Sequence, residues 1–171
     1  PPTPQQGMVE TLQPQTAAGI TVAFQAYHLH VSAAGVLTAA EIRNAIHVAG
    51  DLSNAVRNLG AAAYLAGFPA ARVTYAKSGQ DLFVLVTPGR ISGIRASDRL
   101  KPYLDGLQDA DPLTAGALET HRVLASIAAD RQGVTVYPTF QPDGAGGQVL
   151  DFEQSLKAAD PTTVKGELSN V

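Results

Sequence analysis

The sequence predicts an α+β fold in which two consecutive units share the element order strand, helix, helix, strand, strand. Apolar residues recur at helical spacing twice in each half of the chain, and short apolar or alternating runs precede and follow them. The order repeats with a period of about seventy residues, which is too long for a solenoid repeat and fits two small tandem domains. A chain of 171 residues has room for both.

Residues 1–19 precede the first unit and are rich in proline and glutamine. They carry too few apolar side chains to offset the entropy of ordering, so the composition predicts a flexible linker. The stretch from Met8 to Leu12 is the exception, since it could form one helical turn or dock on a partner.

The first unit, residues 20–90, opens with alternating residues from Ile20 to Val31. A slip in the alternation near Ala26 predicts either a bulge or a strand whose start lies outside the main sheet. Thr38 and Glu41 have the spacing of a capping box, which predicts the start of a helix.

A second helix follows at once, and two helices joined so tightly form an antiparallel pair. Gly67 can adopt the left-handed conformation that ends a helix, and Pro69 cannot continue one. Two strands come next, from Arg72 to Ala76 and from Leu82 to Val86. The second is apolar on both faces, as expected of a strand between two others.

The second unit, residues 91–156, repeats this order. Asp111 and Pro112 predict the start of its long helix, as cap and first helical residue. The large apolar side chains of that helix are Leu118, Val123, Leu124 and Ile127.

Pro138 indicates the strand order of the second unit. Because proline has no amide to donate, it belongs on an edge strand or at a bulge. The strand around Tyr137 is therefore expected at an edge, and the last strand of the unit in the middle.

Several motifs resemble a known family. Tyr64 to Val73 reads Tyr-x-x-Gly-aromatic-Pro-x-Ala-x-Val, and with the hairpin that follows it resembles the second helix and second strand of a POTRA domain. Val86 to Ile91 is similar to the family's junction valine-x-glutamate-glycine-x-isoleucine, with Pro88 at the acidic position. Leu118-Glu119 and the stretch from Val164 to Val171 also match. Over residues 20–171 the chain resembles the FhaC/ShlB/HecB-like transporters (TpsB proteins) of two-partner secretion, in the Omp85 superfamily.

This resemblance implies that each unit is a three-stranded mixed sheet covered on one face by a helix pair, with the second strand at the edge. It implies that residues 157–171 lead into the first strand of a C-terminal β-barrel. It further implies the periplasmic part of a Gram-negative outer-membrane protein of the haemolysin activation and secretion type. The expected partners are an unfolded, adhesin-like or haemolysin-like secreted polypeptide and the chain's own barrel.

An open sheet edge can bind an extended polypeptide by β-augmentation, because its unpaired backbone groups pair with an added strand. The first helix is expected to line the groove beside this edge. The predicted binding residues are Arg72, Val73, Thr74, Tyr75, Ala76, Ile42, Ala45 and Ile46. Alternatively, Arg72 and Lys77 only protect the edge from aggregation. The second unit is expected to be a spacer that docks on the barrel, since Pro138 interrupts its edge.

Other functions have weaker support. A net charge of -3 gives no basic surface for nucleic acid, and the absence of cysteine excludes disulfides and thiolate metal sites. No apolar run approaches the ~20 residues that span a bilayer. His28 and His30 share one strand face and could start a zinc site, but no third ligand has motif spacing. We therefore expect no enzyme activity, cofactor or metal. The alternative function is a scaffold in outer-membrane protein assembly or envelope organisation.

Overall fold

The structure, a computed structural model, describes residues 2–108, 110, 112–131, 133–143 and 147–156. It has the α+β architecture that the sequence predicts, with two mixed sheets and helices packed on them. The elements are β1 (Gln5–Gln6), α1 (Val9–Thr16), β2 (Ile20–Phe24), β3 (Tyr27–Ser32), α2 (Ala39–His47), α3 (Leu52–Leu65), β4 (Arg72–Ser78), β5 (Asp81–Thr87), β6 (Ile91–Arg95), α4 (Lys101–Leu104), a short 3-10 helix (Asp105–Leu107), α5 (Ala115–Asp130), β7 (Val134–Pro142) and β8 (Gln148–Leu156).

The first sheet has the strand order β1-β4-β5-β3-β2. Its central part matches the arrangement implied by the POTRA resemblance, because β5 pairs parallel with β3 and antiparallel with β4. Residues on both faces of β5 are buried, which explains why this strand is apolar at both parities. The expected central position of the third strand is therefore confirmed.

The segment from Ile20 to Val31 forms a hairpin rather than one strand with a slip. β2 and β3 pair antiparallel, and the two residues between them, Gln25 and Ala26, make the turn. Gln25 adopts a positive φ of 55°, as tight hairpin turns require. The apparent slip in alternation is this turn, and it places an extra strand beside β3.

The helix pair covers one face of this sheet. The predicted capping box is present, since the Glu41 amide donates to Thr38 Oγ1 at 3.2 Å and the Thr38 amide donates to Glu41 Oε1 at 2.9 Å. Helix α2 packs on β2, whereas α3 packs on β4 and β5. The core between them includes Leu29, Val31, Ile46, Leu59, Val73 and Val84.

The N-terminal segment is not the flexible linker that its composition predicts. Residues 5–6 form β1, and α1 lies on the sheet face opposite the helix pair. Leu12 is 2% exposed and packs with Ala76 and Phe83. Few apolar residues thus suffice here, because the sheet offers them a complementary apolar face. The first sheet is covered on both faces rather than one.

The second sheet has the order β6-β8-β7, with β8 parallel to β6 and antiparallel to β7. Pro138 lies on the edge strand β7, opposite Phe152, which confirms the position that its missing amide predicts. The turn between β7 and β8 includes residues 144–146, which lie outside the described residues, as do residues 157–171.

The long helix of the second unit starts later than the sequence predicts. Thr114 caps α5, since its Oγ1 accepts from the Ala117 amide at 3.2 Å, so the helix starts after Pro112; Asp111 is outside the described residues. The buried residues of α5 are the alanines Ala125, Ala128 and Ala129. The larger side chains Val123, Leu124 and Ile127 are exposed. No helix in the described part of the chain has the length and apolarity needed to cross a bilayer.

Candidate functional site

The edge of β4 is the strand edge that the sequence predicts as a binding site, and part of it is already paired. Strand β1 lies parallel to β4, with Gln5 opposite Thr74 and Gln6 opposite Tyr75. The Gly7 amide donates to the Tyr75 carbonyl at 2.7 Å. The chain therefore adds a strand of its own to this edge, where the sequence predicts an open one.

The side chains of β4 point alternately to the two faces of the sheet. Val73 is 1% exposed and belongs to the core beneath α3, whereas Ala76 packs against α1. The Tyr75 carbonyl faces β1, so the backbone groups of Val73 and Lys77 also face outward, because these directions alternate along a strand. Among the predicted binding residues from 72 to 76, Val73 and Tyr75 therefore direct their backbone groups outward. The other three direct theirs toward β5.

A groove of about 830 Å³ runs between α3 and this edge. Its wall on the helix side comes from α3, and its strand side includes Tyr75 and Lys77. Residues 2–4 of the chain form a further wall. The α3 residues that line it are Leu52, Ser53, Val56, Arg57, Asn58 and Ala61.

The predicted groove residues on the first helix are wrong. Ile42, Ala45 and Ile46 are buried in the core between the helix pair and the sheet. A signal for the correct helix was present in the sequence. Because α3 leads into β4 through the short turn at 66–71, it is the helix that must lie over the strand that follows.

The rim of the groove is basic and its interior is apolar. The Lys77 ammonium lies 5.5 Å from the centroid of the Tyr27 ring, and Arg57 donates to Ser53 Oγ at 3.1 Å. Arg72 does not line this groove; it donates from Nη2 to Oε1 of Gln5 in β1 at 2.7 Å. Arg57 and Lys77 line this groove, and their positive charges suit a ligand that presents carbonyl or carboxylate oxygens above an apolar surface.

A second cavity, of about 470 Å³, continues the edge toward the second unit. Arg72 and Val73 line it from the first unit, and β7 contributes Pro138 and Phe140. Sequence reasoning missed this contribution, because no local pattern relates β7 to β4. Both units therefore line this second cavity.

The paired histidines lie on the face covered by α1, not in the groove. His28 is exposed. His30 Nδ1 is 3.0 Å from Thr21 Oγ1, and its Nε2 is 2.9 Å from Asp81 Oδ1. The ring also stacks on Phe83 with centroids 5.1 Å apart. His30 thereby connects β2, β3 and β5, and both of its nitrogens have partners.

The described residues contain no group of three potential metal ligands. On α5, the hydrogen bond from Arg122 holds the pKa of Glu119 below its ordinary value, with a smaller contribution from the charge of Arg122. Both residues are on the surface of α5. This ion pair belongs to the surface of the second unit and not to the lining of the groove.

No protein-family model matches the chain, and no curated protein sequence matches it. Among solved structures, the chain is similar to CdiB from Escherichia coli, with 16% sequence identity and a TM-score of 0.48. The similarity covers 84% of this chain and 32% of the CdiB chain, so this chain spans only a minor part of that protein. Identity and TM-score at this level support no inference about activity or partners.

Proposed function

We propose that the chain binds an extended segment of an unfolded, exported polypeptide by strand addition at the β4 edge. The observation that supports this best is the parallel pairing of β1 with β4, in which two residues of the chain add a strand to this edge. Main-chain pairing does not depend on the partner's side chains, which suits a protein that must engage many segments of one unfolded chain.

The groove beside the edge would hold alternate side chains of the bound segment. Tyr75 and Leu82 offer apolar contact at its floor, and Arg57 and Lys77 stand at the rim. A bound strand presents its side chains alternately to the groove and to the opposite side of the sheet. The apolar floor of the groove would favour apolar side chains in the bound segment. The basic rim would favour acidic ones.

The secretion context of this proposal rests on the sequence motifs that resemble POTRA domains. In that context the chain is the periplasmic part of an outer-membrane transporter of the two-partner secretion type. It receives an adhesin-like or haemolysin-like passenger and passes it to the barrel, without catalysis or a cofactor. The second unit acts as a spacer, because Pro138 removes an amide from the ladder of its edge strand.

The test is a binding titration that separates the contribution of the β4 backbone to peptide binding from the contribution of its side chains. A fluorescein-labelled peptide of alternating valine, threonine and serine is titrated with the chain and with the Tyr75→Pro and Tyr75→Ala variants. We expect Tyr75→Pro to weaken binding by about tenfold or more, because the proline removes an outward amide and the hydrogen bond it would donate. Tyr75→Ala is the matched control, since it removes the ring and keeps the amide.

Circular dichroism checks that both variants stay folded. Equal loss in the two variants would place the affinity in the side chain and contradict strand addition. If the peptide bound neither the chain nor a variant without residues 1–7, the proposed function would be wrong, and the scaffold alternative would be favoured.

A further inference from the structure

Residues 2–7, which we call the N-terminal strap, pair with part of the edge of β4 and form one wall of the groove beside it. The strap pairs with Thr74 and Tyr75 through β1 and hydrogen-bonds to the Tyr75 carbonyl through Gly7. Gln5 also accepts a hydrogen bond from Arg72. The strap therefore uses the same backbone groups that an added polypeptide strand would need.

The first residues of the strap rest directly on α3. Gly60 lies inside that helix, and a methyl group there would come within 3.2 Å of the Pro2 carbonyl oxygen and of Val73 Cγ2. Glycine is unfavourable within a helix, so its presence at this contact permits the close approach of the strap. Pro2, Thr3 and Pro4 line the groove from this position.

The strap covers the edge of β4 at Thr74 and Tyr75 and offers little to a further strand. Prolines have no amide to donate, so Pro2 and Pro4 cannot extend a ladder with a further strand. The paired portion is only two residues long. The strap thus covers a strand edge with a segment that does not invite further pairing.

The strap is also weakly anchored compared with the helix that follows it. None of the side chains of residues 2–7 is buried, whereas Leu12 and Thr16 of α1 are each 2% exposed. The strap can therefore leave the edge while α1 stays packed on the opposite face. Buried contacts hold α1, whereas hydrogen bonds and half-buried contacts hold the strap.

We propose that the strap is an internal occupant of the polypeptide site, which an incoming extended segment must displace. This inference rests on the proposed function, because it concerns the same edge. It assigns residues 2–7 a role as a competitor for the site. In this exchange the incoming strand replaces β1, which lies parallel to β4.

The first test removes the strap. A variant that begins at Met8 lacks β1 and the Gly7 amide but keeps α1. We expect it to bind the labelled valine, threonine and serine peptide about tenfold more tightly than the full chain. A labelled synthetic peptide of residues 1–8 should bind this variant in trans and should be displaced by the unlabelled first peptide.

The second test locks the strap. Gln5 and Thr74 are directly opposed on neighbouring strands about 4.8 Å apart, within the span of a disulfide, and the chain has no other cysteine. The Gln5→Cys, Thr74→Cys double variant should lose binding by about tenfold or more when oxidised and regain it when reduced. The single variant Gln5→Cys controls for loss of the contact with Arg72.

The outcomes separate the two proposals. If the peptide binds the full chain, the shortened chain and the oxidised variant with equal affinity, the strap is no competitor and this inference is wrong. If the peptide binds none of them, including the shortened chain, the proposed function itself fails.

Discussion

The side-chain amide of Gln148 donates to the backbone carbonyl of Ala70 at 2.7 Å, across 78 residues of sequence. Gln148 is the first residue of β8, and Ala70 lies in the turn between α3 and β4. Ala70 is fully buried and packs in the core of the second unit. The amide of Ala115 also donates to the Gly67 carbonyl at 2.8 Å, so this turn connects the two units.

Replacing Gln148 with alanine should destabilise the chain by about 1–3 kcal/mol, because the carbonyl of a buried residue would lose its partner. The free energy of unfolding from urea titrations measures this. Gln141→Ala is the control, since Gln141 is an exposed residue of β7 and should have an effect near zero. An equal effect of both variants would show that the contact with Ala70 contributes nothing.

Gly89→Ala should be much more damaging than Gly79→Ala. Both glycines have positive φ, 72° and 61°, so alanine costs about 1–2 kcal/mol of backbone strain at each. At Gly89 the added methyl would also lie 1.9 Å from the Ala70 carbonyl oxygen, whereas at Gly79 nothing lies within 4 Å. Urea unfolding should separate the two variants clearly. Equal losses would show that Gly89 and the Ala70 carbonyl are not in tight contact.

Leu12→Ala tests whether α1 belongs to the folded domain. Removing a buried leucine should cost about 2–5 kcal/mol, since Ala76 and Phe83 would lose their cover. Met8→Ala is the matched control, because Met8 is 66% exposed at the start of the same helix. Thermal unfolding measures the stability of both variants. A negligible effect of Leu12→Ala would restore the flexible linker that the composition predicts.

The ion pair on α5 predicts a pH dependence of known sign. Arg122 donates from Nε to Glu119 Oε2 at 3.0 Å, and this hydrogen bond lowers the pKa of Glu119. A lowered pKa in the folded state adds stability above the unfolded-state pKa, and that stability is lost as the pH falls through the folded pKa. Because the carboxylate is fully exposed, we expect a small effect that salt screens.

A carboxyl NMR titration of the chain and of Arg122→Gln checks this ion pair directly. The pKa of Glu119 should lie below its ordinary value in the chain and rise in the variant. An unchanged titration would mean that the pair does not persist in solution.

Zinc should not stabilise the chain. Both ring nitrogens of His30 are engaged, by Thr21 and Asp81, and the described residues contain no group of three potential metal ligands. The melting temperature should therefore be the same with zinc and with a chelator. A rise that disappears in His30→Ala would support a metal site instead.

Local sequence signals determined much of the fold. The capping box at Thr38 and Glu41 marked the start of α2, and Gly67, with a φ of 104°, marked the end of α3. Pro138 identified an edge strand because its missing amide is a property of the residue itself. Each of these signals acts within a few residues, which is why sequence alone could predict them.

The tertiary structure alone decided what fills the edge of β4. The pairing of Gln5 with Thr74 joins residues far apart in sequence, and a two-residue strand leaves no periodic pattern. The helix α1 is mostly polar and depends on one buried leucine against the second face of the sheet. The choice of α3 over α2 as the wall of the groove likewise depends on how the pair packs. Sequence patterns report local conformation and apolar faces, whereas these features depend on which distant surfaces meet.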